Sequence, residues 1–576
     1  MTRLTLPLLL IAAGSALAEP QDFRPQVREA IARGEKRIVI PPGRYVLAPE
    51  NGGKVVWSLA NVKDVEIIAD DVTLVSTKLT RAVNFDHCTR FTLQGLTVDY
   101  DPLPFTQGTV IKSAEDGGSV EVRLHDGYPA QPWSRVDIMD PTTRFRKKGM
   151  PFLWGSKAEM TGERTVRVSY PKIAQTAKVG DLITLSTGQA SDGIPHAISI
   201  GHGDQVTLRN VSVFSAPGMG ILECDGEGNA QYLGCKVVPG PKPAGAVEER
   251  LLSSSWDAMQ SKTIRRGPKV DGCEIRDAGD DSWSVQSSDY MVLKRDGREI
   301  VIASRDDYMD GVFVGDKLLA GLGGPEAVIT ARKRLDRSAA GLSPDIVAKL
   351  DAAQQWSTWK VAKWCLVLTL DRDAPFEAGT SVFSPDRMGN GFSFINNKVH
   401  SSGRVLIKAG GLIEGNTLDM PHALTVCPEV PGDAAAGIDG LVIRKNVIRQ
   451  AGLFCPAPWS ASAGAISVTF GVKPPVFRGP GVFRNVVIED NTLEDCPVVN
   501  LAVTSTEGVT IRGNRFIRPL GEKINNTGAS YNVPQDRVIW IRDCTGVATD
   551  GNQIVSPGPG SHAEPMLISP EVVKSH

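Results

Sequence analysis

One eight-residue pattern recurs along the chain and restricts its fold more than any other feature. Alternating apolar residues run into an Asn or Gly and then resume. Copies fall at 91–98, 206–213, 392–399, 441–448, 486–493 and 509–516, the last two starting 23 residues apart. Period-two alternation is the signature of a strand, and a repeat of about 20–30 residues that of a solenoid. Asn or Gly at the break (Gly95, Asn210, Asn396, Gly513) tolerates the left-handed backbone that turns one short strand into the next. Coils then stack about 4.8 Å apart with Val, Ile, Leu and Phe inside. An antiparallel sandwich also alternates, but it does not put Asn or Gly at nearly the same offset in every copy. The sequence therefore predicts an all-β chain wound as a right-handed parallel β-helix.

Two stretches break the rhythm and predict small inserted β-barrel-like domains. The first, 101–190, contains apolar runs at 108–111, 120–124 and 181–185; the second, 290–387, contains one at 366–370. Both carry a Val-Gly-Asp turn, ending at Asp181 and Asp316. Within the second, 332–356 reads as helical. The predicted order is an N-terminal signal over 1–18, β-helix coils over 19–100, the first insertion, coils over 191–289, the second insertion, and coils over 388–576. Gly (58) and Pro (38) together make roughly one residue in six, which suits a turn-dense folded chain better than a disordered one.

Arg3, the apolar run 4–13 and Ala16-Leu17-Ala18 have the form of an export signal. It is too short to span a bilayer, and no later run approaches a membrane span. The expected location is periplasmic or extracellular. Nine cysteines are an odd number for internal pairing. Cys88, Cys273 and Cys544 lie where small apolar side chains pack inward, so buried free thiols are expected more than a disulfide framework. Lys plus Arg (63) nearly cancels Asp plus Glu (65). The short basic runs, at 144–148 and 332–334, read as solvated surface, and nucleic acid is not expected as a partner.

The chemistry concentrates in Ser255-Trp256-Asp257 and in Asp277-Ala-Gly-Asp280-Asp281. Asp257 precedes Asp280 by 23 residues and Asp281 by 24, one coil of the solenoid. Stacking brings the three carboxyls into one site, with Gly279 letting the chain bend just before the pair. Converging carboxylates repel, which raises the pKa of at least one. One acid then stays protonated while others activate water, the division of labour glycoside hydrolysis requires. Asp70-Asp71 and Asp306-Asp307 lack a partner one coil earlier and read as solvated turns. The same oxygens suit calcium, but no further ligand-dense loop surrounds them.

This Asp, followed one coil later by Gly-Asp-Asp, resembles the clan that holds the polygalacturonases and glycoside hydrolase family 110, the exo-α-1,3-galactosidases. The 98–108 segment entering the first insertion, the second insertion just after Asp281 and the overall length are closer to family 110. The resemblance spans about residues 20–570. It implies a secreted, inverting exo-α-galactosidase acting on terminal α-1,3-linked galactose. Asp280 is then the general acid, and Asp257 and Asp281 hold and deprotonate the water. Inversion asks for carboxyls about 6.5–9.5 Å apart. Polygalacturonases also hold a uronate with an Arg-x-Lys; Arg404 and Lys408 here have the wrong spacing, which favours a neutral sugar.

Four further residues are candidate sugar contacts. Glu223 is placed on a preceding coil or, equally, on a surface strand. Trp256 offers an apolar face or packs under an insertion. Arg404 and Lys408 are pocket donors, Lys408 equally a solvated strand end. His400 and His422 have no ligand-like spacing. No HExxH, GxSxG or phosphate-loop motif occurs, and no metal or cofactor is expected. The rival readings are a polygalacturonase-like hydrolase, a polysaccharide lyase and a non-enzymatic carbohydrate-binding adhesin. The oligomeric state is left open, a homodimer included.

Overall fold

The computed structural model describes residues 22–148, 153, 155–187, 195–304, 309–345, 348, 364–428, 435–452, 464–473, 476–522 and 531–569. The expected export signal over 1–18 lies outside them. Three twelve-stranded sheets run the length of the molecule, and consecutive strands of the chain visit them in turn. Every neighbour within each of these sheets is parallel, as in the pairs of Arg37–Val39 with Glu66–Ile68 and of Thr207–Arg209 with Gln231–Leu233. The chain is a parallel β-helix, as the repeat predicts.

Most strands are only three or four residues long, because each coil turns three times within its repeat. In the first sheet the central residue points inward and its neighbours face out. Leu208, Tyr232, Val270, Phe394, Ile413 and Ile443 stack in one row from coil to coil, all buried. Burying each such side chain contributes about 1.5–3 kcal/mol. The first end of the solenoid is covered by the helix Arg24–Ala32. Phe23, at its start, packs edge-on against Tyr45 and Trp57 of the first coil, and buried Arg24 donates to the carbonyls of Ala48 and Val56.

The break in the repeat divides into two jobs. The residue taking the left-handed turn is Gly95, Asn210, Asn396, Lys445, Asp490 or Gly513, all at positive φ. Where an Asn follows, it joins a ladder: Asn397, Asn416, Asn446, Asn491 and Asn514, all buried, and half-buried Asn552. From Asn416 onward each side-chain oxygen accepts from the backbone N–H and the amide of the Asn one coil before, and the Asn397 oxygen accepts from the Cys273 N–H. The ladder satisfies every buried polar group it introduces. On earlier coils the same position is held by Cys235 and Cys273. The eight described cysteines are all buried.

The two insertions differ. The first is an antiparallel six-stranded sheet, between Phe105–Ser113 and Leu182–Ser186, whose order leaves two edges; it is open, not a barrel. The second closes: six strands between Asp289–Asp296 and Ser381–Phe383 form a barrel around Val292, Ile302, Leu318, Leu366 and Leu368. Their Val-Gly-Asp turns are alike. Gly180 and Gly315 sit at φ 95° and 91°, and the Asp181 and Asp316 carboxylates each accept the N–H three residues earlier.

Two expectations fail, the first only in part. Arg332 to Asp336 belong to the strand Glu326–Asp336, but Arg337–Ala340 form a 3-10 helix and 344, 345 and 348 are helical; half of 337–356 lies outside the described residues. Alternating apolar residues in this run pack on the barrel, and arginines at 332 and 334 cover the rings of Phe313 and Trp364. The run at 144–148 is not plain solvated surface either. Phe145 and Arg146 are buried, Arg146 paired with Asp137 at 2.9 Å and Lys147 paired with Asp181.

Candidate active site

The site stands on the third sheet, where Ile221–Cys224, Met259–Lys262, Trp283–Gln286 and Val405–Ile407 lie side by side. Met259 pairs with Trp283, so residues two positions upstream, Asp257 and Asp281, fall on one rung, and the Ala258 N–H donates to the Asp281 carbonyl at 2.9 Å. Gly279 works by its smallness rather than by bending. A Cβ there would lie 2.6 Å from the Ser255 carbonyl oxygen, and the left-handed residue is Asp277, φ 52°. On the far side a Cβ at Gly403 would meet the Asp280 carbonyl. Glycines on two coils thus let the backbone close tightly around the acid pair.

One oxygen from each of Asp257, Asp280 and Asp281 lies within 4.8 Å of the others. Stacking therefore brings the predicted triad together. This closest approach is shorter than the roughly 6.5–9.5 Å between the carboxyls of a usual inverting pair. The three environments differ. Asp257 and Asp281 are buried, 5% and 6% exposed, whereas the Asp280 side chain is 25% exposed. Arg135 pairs with Asp280 at 2.8 Å and Arg404 with Asp281 at 2.6 Å. Asp257 instead accepts from Gln260 at 2.9 Å and from Ser284 at 3.5 Å. Burial, then repulsion from Asp281 and Asp280, pushes the Asp257 carboxyl well above the usual range, despite Arg404 and Arg135 nearby. The two guanidiniums already supply positive charge to the cluster, which works against a divalent cation there.

Three polar atoms around the triad are buried without a hydrogen-bond partner: Trp256 Nε1, Arg135 Nε and Gln286 Oε1. Gln286 is one side chain along from the acids, donating its amide to Ser284. Buried unpaired donors and acceptors are costly in a native protein. Arg404 reaches the site as expected, but it is committed to Asp281. Lys408 is buried on the outward face, near the level of Gln286, so it is not a solvated strand end. Trp256 carries the Arg135 guanidinium 4.9 Å above its ring, which takes up one of its faces. It also packs beside Met219, Leu222, Cys224 and Met309, the last from the second insertion.

Glu223 is neither a sugar contact nor a surface residue. In register it stands beside Ser261, and that row continues into the core residues Val285 and Ile407. Its carboxyl accepts from Ser261 at 2.8 Å and from Tyr232 at 3.2 Å inside the solenoid, and burial pushes it up to about 7. The row alignment is the signal that identifies it.

Sequence reasoning missed Arg135 and Arg146, which come from the first insertion. Both donate to the Gly279 carbonyl, at 2.7 and 3.2 Å. No local pattern points to them, since their partners lie more than 130 residues away. His422 is buried near Arg404 and Arg146, and burial holds its imidazole well below the ordinary range. A second cluster, Asp86, His87 and His202, also lies within 4.8 Å. There His202 bridges Asp86 at 2.9 Å and Asp310 at 3.2 Å through its two ring nitrogens. These bonds raise it to about 9, so at neutral pH it is a cation without a lone pair for a metal.

No protein-family model matches the chain, and no curated protein matches it. Solved structures similar to it include the A-module of a mannuronan C-5 epimerase from Azotobacter vinelandii, 8% identical, TM-score 0.35, over 96% of this chain and 94% of that one. A family 28 exopolygalacturonase from Yersinia enterocolitica is 11% identical, TM-score 0.39, over 93% and 72%. A polygalacturonase from Erwinia carotovora ssp. carotovora is 11% identical, TM-score 0.37, over 96% and 95%. Among the described residues no helix is long and apolar enough to cross a membrane.

Proposed function

We propose that this protein is an exported glycoside hydrolase that removes terminal α-1,3-linked galactose with inversion, using Asp257, Asp280 and Asp281 as its acid–base machinery. The observation that carries the reading is the carboxyl triad itself: three acids with oxygens within 4.8 Å of one another, one pushed toward its protonated form and two held by arginines. One protonated and one ionised carboxyl are what cleavage of a glycosidic bond needs, the first to protonate the leaving oxygen and the second to take a proton from water. The unpaired Trp256 and Arg135 donors and the Gln286 acceptor suit a ligand rich in hydroxyls. A neutral sugar fits better than a uronate, because Arg404 is already spent on Asp281.

The test is incubation with linear and branched α-1,3-galactosyl oligosaccharides and with galacturonan, following products by NMR. Release of galactose supports the reading. Release of galacturonic acid alone overturns the substrate, and an unsaturated product overturns hydrolysis in favour of a lyase.

A further inference from the structure

We propose that the first inserted module is a working wall of the active site, and that Arg135 is the positioning residue through which it acts on Asp280. The inference rests on the hydrolase reading above. Arg135 opens the strand Arg135–Met139 of the module, yet its guanidinium leaves the module and reaches the solenoid. There it makes three contacts at once: the Asp280 carboxylate at 2.8 Å, the Gly279 carbonyl at 2.7 Å and the face of Trp256 at 4.9 Å. One nitrogen, Nη2, donates to both oxygens while the guanidinium plane lies on the indole; an ammonium can donate to both but has no flat face to stack.

The rest of the module braces this contact. Arg146 donates to the same Gly279 carbonyl, is held by Asp137 at 2.9 Å, and its backbone N–H donates to Ser402 on the following coil at 2.7 Å. The turn carrying the acid pair is therefore gripped from the module side by two arginines and from the solenoid side by the Ser254 and Ser255 backbone. Burial works against the charge on Arg135, and Asp280, Asp137 and Asp257 outweigh it, so the guanidinium stays charged beside the triad. A fixed cation there sets how the three carboxyls share their protons and fixes the direction of Asp280. Titration of such a cluster belongs to the group rather than to one member.

The test compares Arg135→Gln and Arg135→Lys in the full chain, with Arg123→Gln, an exposed arginine on the same module, as control. Two readouts are taken: the pH–rate profile with kcat and KM on an α-1,3-galactosyl oligosaccharide, and the carbon-13 titration of the Asp carboxyls. In Arg135→Gln the triad is expected to give up its protons about 1–3 pH units higher. One limb of the profile moves with it, and kcat falls about 100-fold with little change in KM. Arg135→Lys keeps the charge without the flat face on Trp256, restoring the titration but only part of kcat. Unmoved titration and limbs in a folded Arg135→Gln, with a lower melting temperature as its only effect, overturn the proposal. If that variant does not fold, wild-type kcat in Arg135→Lys overturns it. A wild type that cleaves no glycan defeats the hydrolase reading, while the carboxyl titration still decides the role of Arg135.

Discussion

Asp257 stands on the same rung as Asp281, one coil earlier, with its oxygen close enough for the two charges to oppose each other. Arg404 answers the charge on Asp281 at 2.6 Å, and Asp257 has only Gln260 and Ser284 as direct partners. The register of a parallel sheet thus creates an electrostatic conflict that favours the protonated form of Asp257, whereas the resemblance gives the acid role to Asp280, which here is paired with Arg135.

Asp257→Asn is expected to separate function from stability. The amide keeps the shape and the bonds to Gln260 and Ser284 while removing the opposed charge, so melting temperature holds or rises. Activity falls by about 100- to 10,000-fold, the usual worth of a general acid or base. A carboxyl whose folded value is raised binds its proton more tightly when native, so it costs stability as pH climbs from about 4 through the raised value. The variant should flatten that decline in melts taken across pH.

Glu223→Gln provides a contrast. Its carboxyl faces Ser261 and Tyr232 in the core, so KM should not move. Burial raises Glu223 from 4.5 to about 7, so the wild type loses stability as pH climbs between those values, and the variant should lose less. A changed KM would return Glu223 to the sugar site.

His202 ties the barrel to the solenoid through Asp86 and Asp310, beside the Asp225 carboxylate that accepts the Asp310 and Gly311 N–H groups. A raised His contributes stability that is complete below its unfolded value, about 6.5, and is lost as pH rises through about 9. Partial exposure screens the pair, leaving a contribution on the order of 1 kcal/mol. His202→Gln should remove this alkaline loss. Protease cleavage of the barrel at pH 7 and pH 10 measures it.

Asn446→Ala breaks the ladder two coils beyond Arg404. It strips the acceptor from the Asn416 N–H and amide, and the amide donor from the Ile413 carbonyl. Each buried group left unpaired costs about 1–3 kcal/mol. Denaturant midpoint should fall while kcat per folded molecule stays unchanged.

Much of this architecture is written in the sequence because a solenoid converts spacing into contact. The 23- and 24-residue separations place Asp257 beside Asp280 and Asp281 without any further information. Asn at the break is also visible, though its division into a turning residue and a ladder residue needs the hydrogen bonds. Glu223 was misplaced because a strand of Ile-Leu-Glu-Cys is ambiguous alone; only alignment with Val285 and Ile407 shows its face. Arg135 and Arg146 were invisible because an inserted module folds back on the coils by a contact that no period encodes. The open edge of the first module has the same cause. Strand content is local, whereas closure depends on which strands meet.

The most direct test is time-resolved proton NMR of an α-1,3-galactosyl oligosaccharide mixed with wild-type protein and with Asp280→Asn. The account predicts β-galactose as the first product from the wild type, with release at least about 100-fold slower in the variant. First release of α-galactose contradicts inversion. Equal rates in the two proteins contradict the triad itself.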